Sequence, residues 1–197
     1  MKESHFLAIV SRMKYIDRWA LMRNSRTENL SEHSLEVAMI AHALCVIANV
    51  RYGETLNPEK AALAAMYHDS SEIITGDMPT PVKYLNDEIR GAYKQVEKKA
   101  EAQLLDQLPD DLRKCYEEIY NTDQKTERYV KAADKLSALI KCIEEESAGN
   151  TEFRNAAQST KRSLEEMKKD IPALNDFMEE LLPSYGRTLD ELLGRAI

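Results

Sequence analysis

Helix breakers are scarce in this chain, with six glycines and six prolines among 197 residues. Long stretches therefore contain nothing that stops a helix, which excludes a turn-rich β-sandwich and a disordered chain. Apolar residues recur at helical spacing between the breakers. Residues 4–16 read as a short amphipathic helix, and the basic stretch that follows has no clear period. Ser31 reads as the N-cap of a helix reaching about residue 50, with Leu35, Ala38, Met39 and Val46 in register. Asn57-Pro58 opens a helix running to Gly76, with Asn as cap and Pro in the first turn. The next stretch, GDMPTPVK, carries two prolines and cannot be helical throughout. Further helices are expected over about 86–107, 109–120, 126–146, 151–169, 172–182 and 188–194. No segment alternates like a strand, so the expectation is one all-α domain spanning residues 1–197.

Acidic residues outnumber basic ones, 34 to 27, for a net charge of −7. That balance argues against coating a nucleic-acid polymer or adhering to an anionic membrane. The longest uncharged run, Val37–Val50, is shorter than the roughly 20 residues a bilayer span needs and reads as a core helix. The N-terminal MKESHFLAIVSR lacks a signal-length apolar stretch. The three cysteines, Cys45, Cys115 and Cys142, form no CxxC and read as free thiols. A cytoplasmic protein is expected.

Four histidines are present, and only His68 is followed directly by aspartate, Asp69. Adjacent helical residues point about 100° apart and can grip one ion only with help from other helices. Glu72, four residues on, would share the face of His68, with Ala65, Ala64 and Ala61 behind it letting a neighbouring helix approach. Taken alone, the pair reads first as a solvated helix end. His33 and His42 both lie on apolar faces of one helix, and periodicity does not separate them. Asp134 flanks the apolar stripe Ala133, Leu136, Leu139, Ile140 and Ile143, where spacing makes it a surface aspartate. Between Arg12 and Arg26 lie five basic residues and one acid, an island suited to a small anion. Within it Arg18 adjoins Trp19, the only tryptophan, a pair able to bind phosphate and pack a ring or sugar, though a core-anchoring Trp beside a surface Arg is at least as common.

The ordered set His33, His68-Asp69, Asp134 resembles the H…HD…D pattern of the HD-domain metal-dependent phosphohydrolases. The stretches RWALMRNSRTENLSEHSLEVAMIAHAL, AMYHDSSEIITGDMPTPVKY, KAADKLSALIKCIEE and AGNTEF are similar to the bacterial 5′-deoxynucleotidases of that superfamily. The resemblance covers roughly residues 1–192 and implies an all-helical homodimer with its HD core at about 30–145. It implies removal of the 5′-phosphate from deoxyribonucleoside monophosphates with one divalent transition metal. Cobalt is the first choice, with manganese, zinc, nickel and iron as alternatives. By position, the resemblance makes His33, His68, Asp69 and Asp134 metal ligands, choosing His33 over His42. It makes Glu72 the group that activates water, and Arg18 the phosphate-orienting catalytic residue. Trp19 would shape the sugar pocket, and Asp77, Met78, Pro79 and Thr80 would line the substrate site. His33, Asp69 and Asp134 would face the substrate as well. Such a donor set suits an intermediate metal better than calcium. No P-loop GxxxxGK[ST] competes. Two rivals stand beside this reading: another HD phosphohydrolase activity, and a non-catalytic helical module that binds a nucleotide as a signal.

Overall fold

The computed structural model describes residues 3–83 and 85–194. Tyr84 and the two chain ends, which the sequence-based domain span included, lie outside them. The described chain is helical, and its only β-type pairing is a single bridge between Asp17 and Asn29. In order come α1 (Phe6–Val10), a 3-10 segment Ser11–Tyr15, α2 (Leu30–Tyr52), α3 (Pro58–Tyr67), α4 (Glu72–Thr75) and α5 (Thr80–Lys83). There follow α6 (Asp87–Leu105), α7 (Asp110–Tyr120), α8 (Gln124–Ser147), α9 (Arg154–Met167), α10 (Pro172–Asp176) and α11 (Leu189–Leu193).

Helix α2 is the hub, packed by α3, α8 and α10, while α9 packs on α8. Val37, Ile40, Ala41, Leu44 and Ala48 of α2 meet Ala61, Ala64 and Ala65 of α3 and Leu136, Leu139 and Ile140 of α8 in one core. The small α3 residues act as spacing predicted, since Ala61, Ala64 and Ala65 are its buried members in the core and α3 packs closely on α2. Half of the most apolar window of α2 is buried within the domain, as in a core helix. All three cysteines are free thiols, two of them buried.

Among the boundaries that differ from those the sequence predicts, such as the 4–16 helix turning 3-10 at Ser11 and the 172–182 helix ending as α-helix at Asp176, two bear on the site. The N-cap of α2 is Asn29, not Ser31. The Asn29 side chain accepts from the Ser31 and Glu32 amides, and Glu32 reaches back to the Asn29 amide, a complete capping box. The helix opened by Asn57 ends at Tyr67 rather than Gly76. His68 to Ser71 form a turn, fixed where Ser70 Oγ bonds Tyr67 O at 2.7 Å and Tyr120 OH at 2.8 Å. His68 and Glu72 therefore do not share one continuous helix.

The basic stretch without a period is a tethered loop. Its ends are tied by Arg18 N to Glu28 O at 2.9 Å and Leu30 N to Ile16 O at 3.0 Å. Its middle is held by Glu145 of α8, whose side chain is 1% exposed. Glu145 accepts from Ser25 N at 2.8 Å, Arg26 N at 3.3 Å, Asn150 Nδ2 at 2.8 Å and Lys141 Nζ. Burial opposes ionisation of Glu145, but donors from Lys141, Ser25 and Asn150 outweigh it and hold the carboxyl well below its ordinary 4.5. Stability from this ionisation is full above about pH 4.5 and is lost as the pH falls below it. Glu145→Gln leaves Lys141 buried without its counter-charge, a loss of about 3–5 kcal/mol for breaking such a pair. Urea unfolding should show a lower midpoint for the variant at pH 7 and a smaller gap from wild type at pH 4. Coincident curves at both pH values would remove Glu145 as the anchor.

Candidate metal-dependent active site

Three elements converge where the first turn of α2 meets the middle of α8. His33 lies in the first turn of α2, His68-Asp69 in the turn after α3, and Asp134 in the middle of α8. His33 is 1% exposed, whereas His42, its rival by periodicity, faces solvent. The two imidazole centroids of His33 and His68 are 5.3 Å apart. One donor atom each from His33, His68 and Asp134 lie within 4.8 Å of one another. Asp69 Oδ2 completes the group, 3.1 Å from His68 Nε2 and 3.5 Å from His33 Nε2. Asp134, read from spacing as a surface residue, points its Oδ1 to 3.2 Å from His33 Nε2.

The charges interlock. Burial opposes ionisation of Asp69, yet His68 holds its carboxyl at about 2. Burial likewise disfavours the charged His68, but Asp69 and Asp134 raise it to about 9. Glu72 at the start of α4 is 5% exposed. Burial, with the like charges of Asp69 and Asp77, pushes its carboxyl up to about 9.

Arg18 reaches the cluster, with its Nη1 2.7 Å from His33 Nδ1, and Trp19 follows it in the chain. Glu28 bridges them: its Oε1 accepts from Arg18 Nη1 at 2.8 Å, and its Oε2 from Trp19 Nε1 at 3.2 Å. The Arg18 guanidinium lies over the indole, 5.8 Å from its centroid. Burial works against the Arg18 charge, and Glu28, Asp134 and Asp69 outweigh it. Trp19 has φ of 59°, the left-handed region, a strain of about 1–3 kcal/mol for a bulky residue. Its carbonyl is held by Met22 N at 2.9 Å and Asn24 Nδ2 at 3.2 Å, and its ring packs on Phe153 at 5.3 Å. The rest of the basic island turns elsewhere. Arg12 and Lys14 lie against Tyr15, Arg23 pairs with Glu152, and Arg26 with Glu32. Of the five cations only Arg18 serves the cluster, because Tyr15 and acids on neighbouring elements engage the others.

A profile of the YfbR-like 5′-deoxynucleotidases matches residues 5–185. The chain belongs to that family. The 5′-deoxynucleotidase of Erwinia tasmaniensis is 49% identical over 195 residues, covering 98% of each chain. The 5′-deoxynucleotidase YfbR of Salmonella typhi is 49% identical over 98% of this chain and 97% of its own. An HD-domain phosphohydrolase from Listeria innocua shares the fold with a TM-score of 0.80 at 22% identity, over 92% of this chain and 88% of its own. The cyanophage S-2L HD phosphohydrolase DatZ, solved with dA and one catalytic Zn2+ ion, shares it with a TM-score of 0.63 at 18% identity. That match covers 92% of this chain and 96% of its own.

The buried donors of this deoxynucleotidase fit a metal ion. His33 Nε2 and His68 Nε2 are buried without a hydrogen-bond partner, although carboxylate oxygens lie nearby. His68 Nδ1 meets Ala65 O at 2.7 Å, so in the neutral ring that a metal requires the proton lies on Nδ1 and the Nε2 lone pair faces the carboxylates. Donors around one transition metal, each about 2.0–2.2 Å from it, fall into such a cluster.

The loop residues of the deoxynucleotidase are less tightly placed. Asp77 is half-buried; burial raises its carboxyl, and Arg18 is the main opposing charge. Met78 and Pro79 are half-buried, and Thr80 is exposed at the start of α5, with no side-chain hydrogen bond among the described residues. Sequence reasoning gave no role to Glu28, Glu36 or Ser137. Spacing carried a signal, since Ser137 follows Asp134 by three residues and Glu36 follows His33 by three.

Proposed function

We propose that this site hydrolyses deoxyribonucleoside 5′-monophosphates to deoxyribonucleosides and phosphate, with His33, His68, Asp69 and Asp134 holding one divalent ion. The observation that carries the reading is the pair of orphaned imidazole nitrogens facing two carboxylates, with Arg18 beside them. The Zn2+ and dA bound to DatZ support it. The mixed nitrogen and oxygen donors suit Co2+ first by family resemblance, with Mn2+, Zn2+, Ni2+ or Fe2+ as alternatives. When bound, the ion neutralises phosphoryl charge and makes water more acidic.

Arg18 holds the phosphate and so sets the distance to the sugar. Glu72 takes the proton of the attacking water. A bound cation would offset the like charges of Asp69 and Asp77 and so favour the Glu72 carboxylate against the burial that opposes it. Asp77, Met78, Pro79 and Thr80 border the nucleoside. Trp19 crowds the 2′ position, which favours the deoxy sugar.

One domain over residues 1–197, with its HD core at about 30–145, carries this activity. The exposed apolar stripe Leu35, Met39, Val46 and Val50 on α2 supports a homodimer. The net charge of −7 supports neither a nucleic-acid polymer nor a membrane as partner. The free thiols support a cytoplasmic setting.

The test is phosphate release from matched deoxy- and ribonucleoside monophosphates, with and without chelator. Release from the deoxy series alone, abolished by chelator and restored by metal, is expected. Release of pyrophosphate or of a nucleotide from larger substrates, with none from monophosphates, would move the activity elsewhere in the HD group. In the same assay Trp19→Ala should narrow the deoxy-to-ribo ratio of kcat/KM at equal folded fraction. An intact ratio with lost stability would leave Trp19 as a packing residue.

A further inference from the structure

His68 has its Nδ1 proton fixed by a backbone carbonyl, whereas His33 has no such carbonyl partner. Three groups surround His33 Nδ1: Arg18 Nη1 at 2.7 Å, Ser137 Oγ at 3.0 Å and Glu28 Oε1 at 3.5 Å. A His33 that binds metal through Nε2 carries its proton on Nδ1 and needs an acceptor there. Arg18 cannot accept, because a guanidinium only donates. Glu28 is at the limit of reach and already accepts from Arg18 and Trp19. Ser137 Oγ is within reach, and its own proton is committed to Glu36 Oε2 at 2.6 Å, which leaves an oxygen lone pair for His33.

We propose that Ser137 and Glu36 are positioning residues, a relay in which His33 Nδ1–H donates to Ser137 Oγ and Ser137 Oγ–H donates to Glu36. The inference rests on His33 binding metal through Nε2. The relay draws on the two long helices that carry the ligands. Ser137 lies one turn beyond Asp134 on α8, and Glu36 one turn beyond His33 on α2. It fixes the ring's tautomer and rotation, and so aims Nε2 at the ion. The same proton placement removes the acceptor of Arg18 at His33, leaving that donor for the substrate phosphate. Ser137 is fully buried, so no water replaces its hydroxyl without rearrangement.

The test is competition for zinc between a chromogenic chelator and the zinc-loaded full chain. Ser137→Ala should weaken zinc affinity about 10–100-fold, the usual cost of losing such a partner. With zinc saturating, KM for the nucleotide should stay near wild type. The His33 Nδ1–H resonance of the zinc-loaded enzyme should be lost or shifted. Glu36→Ala should weaken affinity, and Glu36→Gln, which keeps an accepting oxygen, should restore most of it. Because the two act in series, Ser137→Ala with Glu36→Ala should bind no more weakly than Ser137→Ala alone. Additive losses, or zinc affinity in a folded Ser137→Ala within twofold of wild type, would overturn the relay. If the wild-type chain bound no zinc, the metal site would fall and the relay with it. If wild type and Ser137→Ala bound zinc equally, the relay alone would fall.

Discussion

Asp134→Ala should strip the ion from the protein while leaving the helices in place. Asp134 is the only one of the four proposed ligands on α8, and its Oδ1 lies 3.2 Å from His33 Nε2. Its removal takes one hard anionic donor from a site whose other members are two imidazoles and Asp69. The fold has less reason to suffer. Asp134 contributes nothing to the apolar seam between α2 and α8, and its loss relieves repulsion with Asp69. Elemental analysis should fall from about one metal per chain towards none, with an unchanged helical circular-dichroism spectrum. Phosphate release should drop by at least about three orders of magnitude, since the ion both neutralises charge and activates water. Asp134→Asn, which retains one neutral oxygen donor, should fall between the two. A variant with full metal content and full turnover would end the four-ligand assignment.

Glu72→Gln should separate binding from chemistry. Glu72 is buried, and one of its oxygens, Oε2, has no hydrogen-bond partner. The amide keeps the shape and cannot take a proton. Turnover should fall by about 10²–10⁴, the usual contribution of a general base, with metal content and KM nearly unchanged. The metal-free protein provides an independent readout. The folded carboxyl is raised to about 9 from an ordinary 4.5, so its stabilising contribution is full below about pH 4.5 and is lost as the pH rises towards 9. Metal-free wild type should therefore lose thermal stability across that window, and metal-free Glu72→Gln should lose less. Unchanged turnover in the variant would hand the proton to another group.

The helices were legible in the sequence because periodicity and scarce breakers are local properties. The break at His68 was not, because YHDSSEII contains no glycine or proline. A serine hydroxyl bonded to Tyr120, 50 residues away, holds the turn there. The Asn29 cap was legible in principle, since Asn-x-x-Glu is a capping box; Ser31 drew attention because it too is a capping type. His33 and His42 were equivalent by spacing and became distinct only once α3 and α8 covered one side of α2. Asp134 looked like surface for the same reason, since the flank of an apolar stripe has no meaning until the facing helix is known. The family resemblance supplied what periodicity lacked, because it linked residues that meet only after folding. Neither route weighted Glu28, Glu36 or Ser137: Glu28 and Ser137 touch the proposed ligands and substrate-binding residues rather than standing among them, and Glu36 touches Ser137.

The tethered loop bearing Arg18 and Trp19 has a consequence for molecular recognition. A free basic segment of that length would lose much chain entropy on closing around a mononucleotide, and affinity would fall accordingly. Here Glu145, Asn150 and the strained turn at Trp19 have already removed that freedom during folding. With Arg18 and Trp19 in their proposed roles, the arriving nucleotide would meet a preformed template instead of a searching strand. Its binding enthalpy would then not be cancelled by ordering the receptor, and a ligand as small as a monophosphate could be held by few contacts.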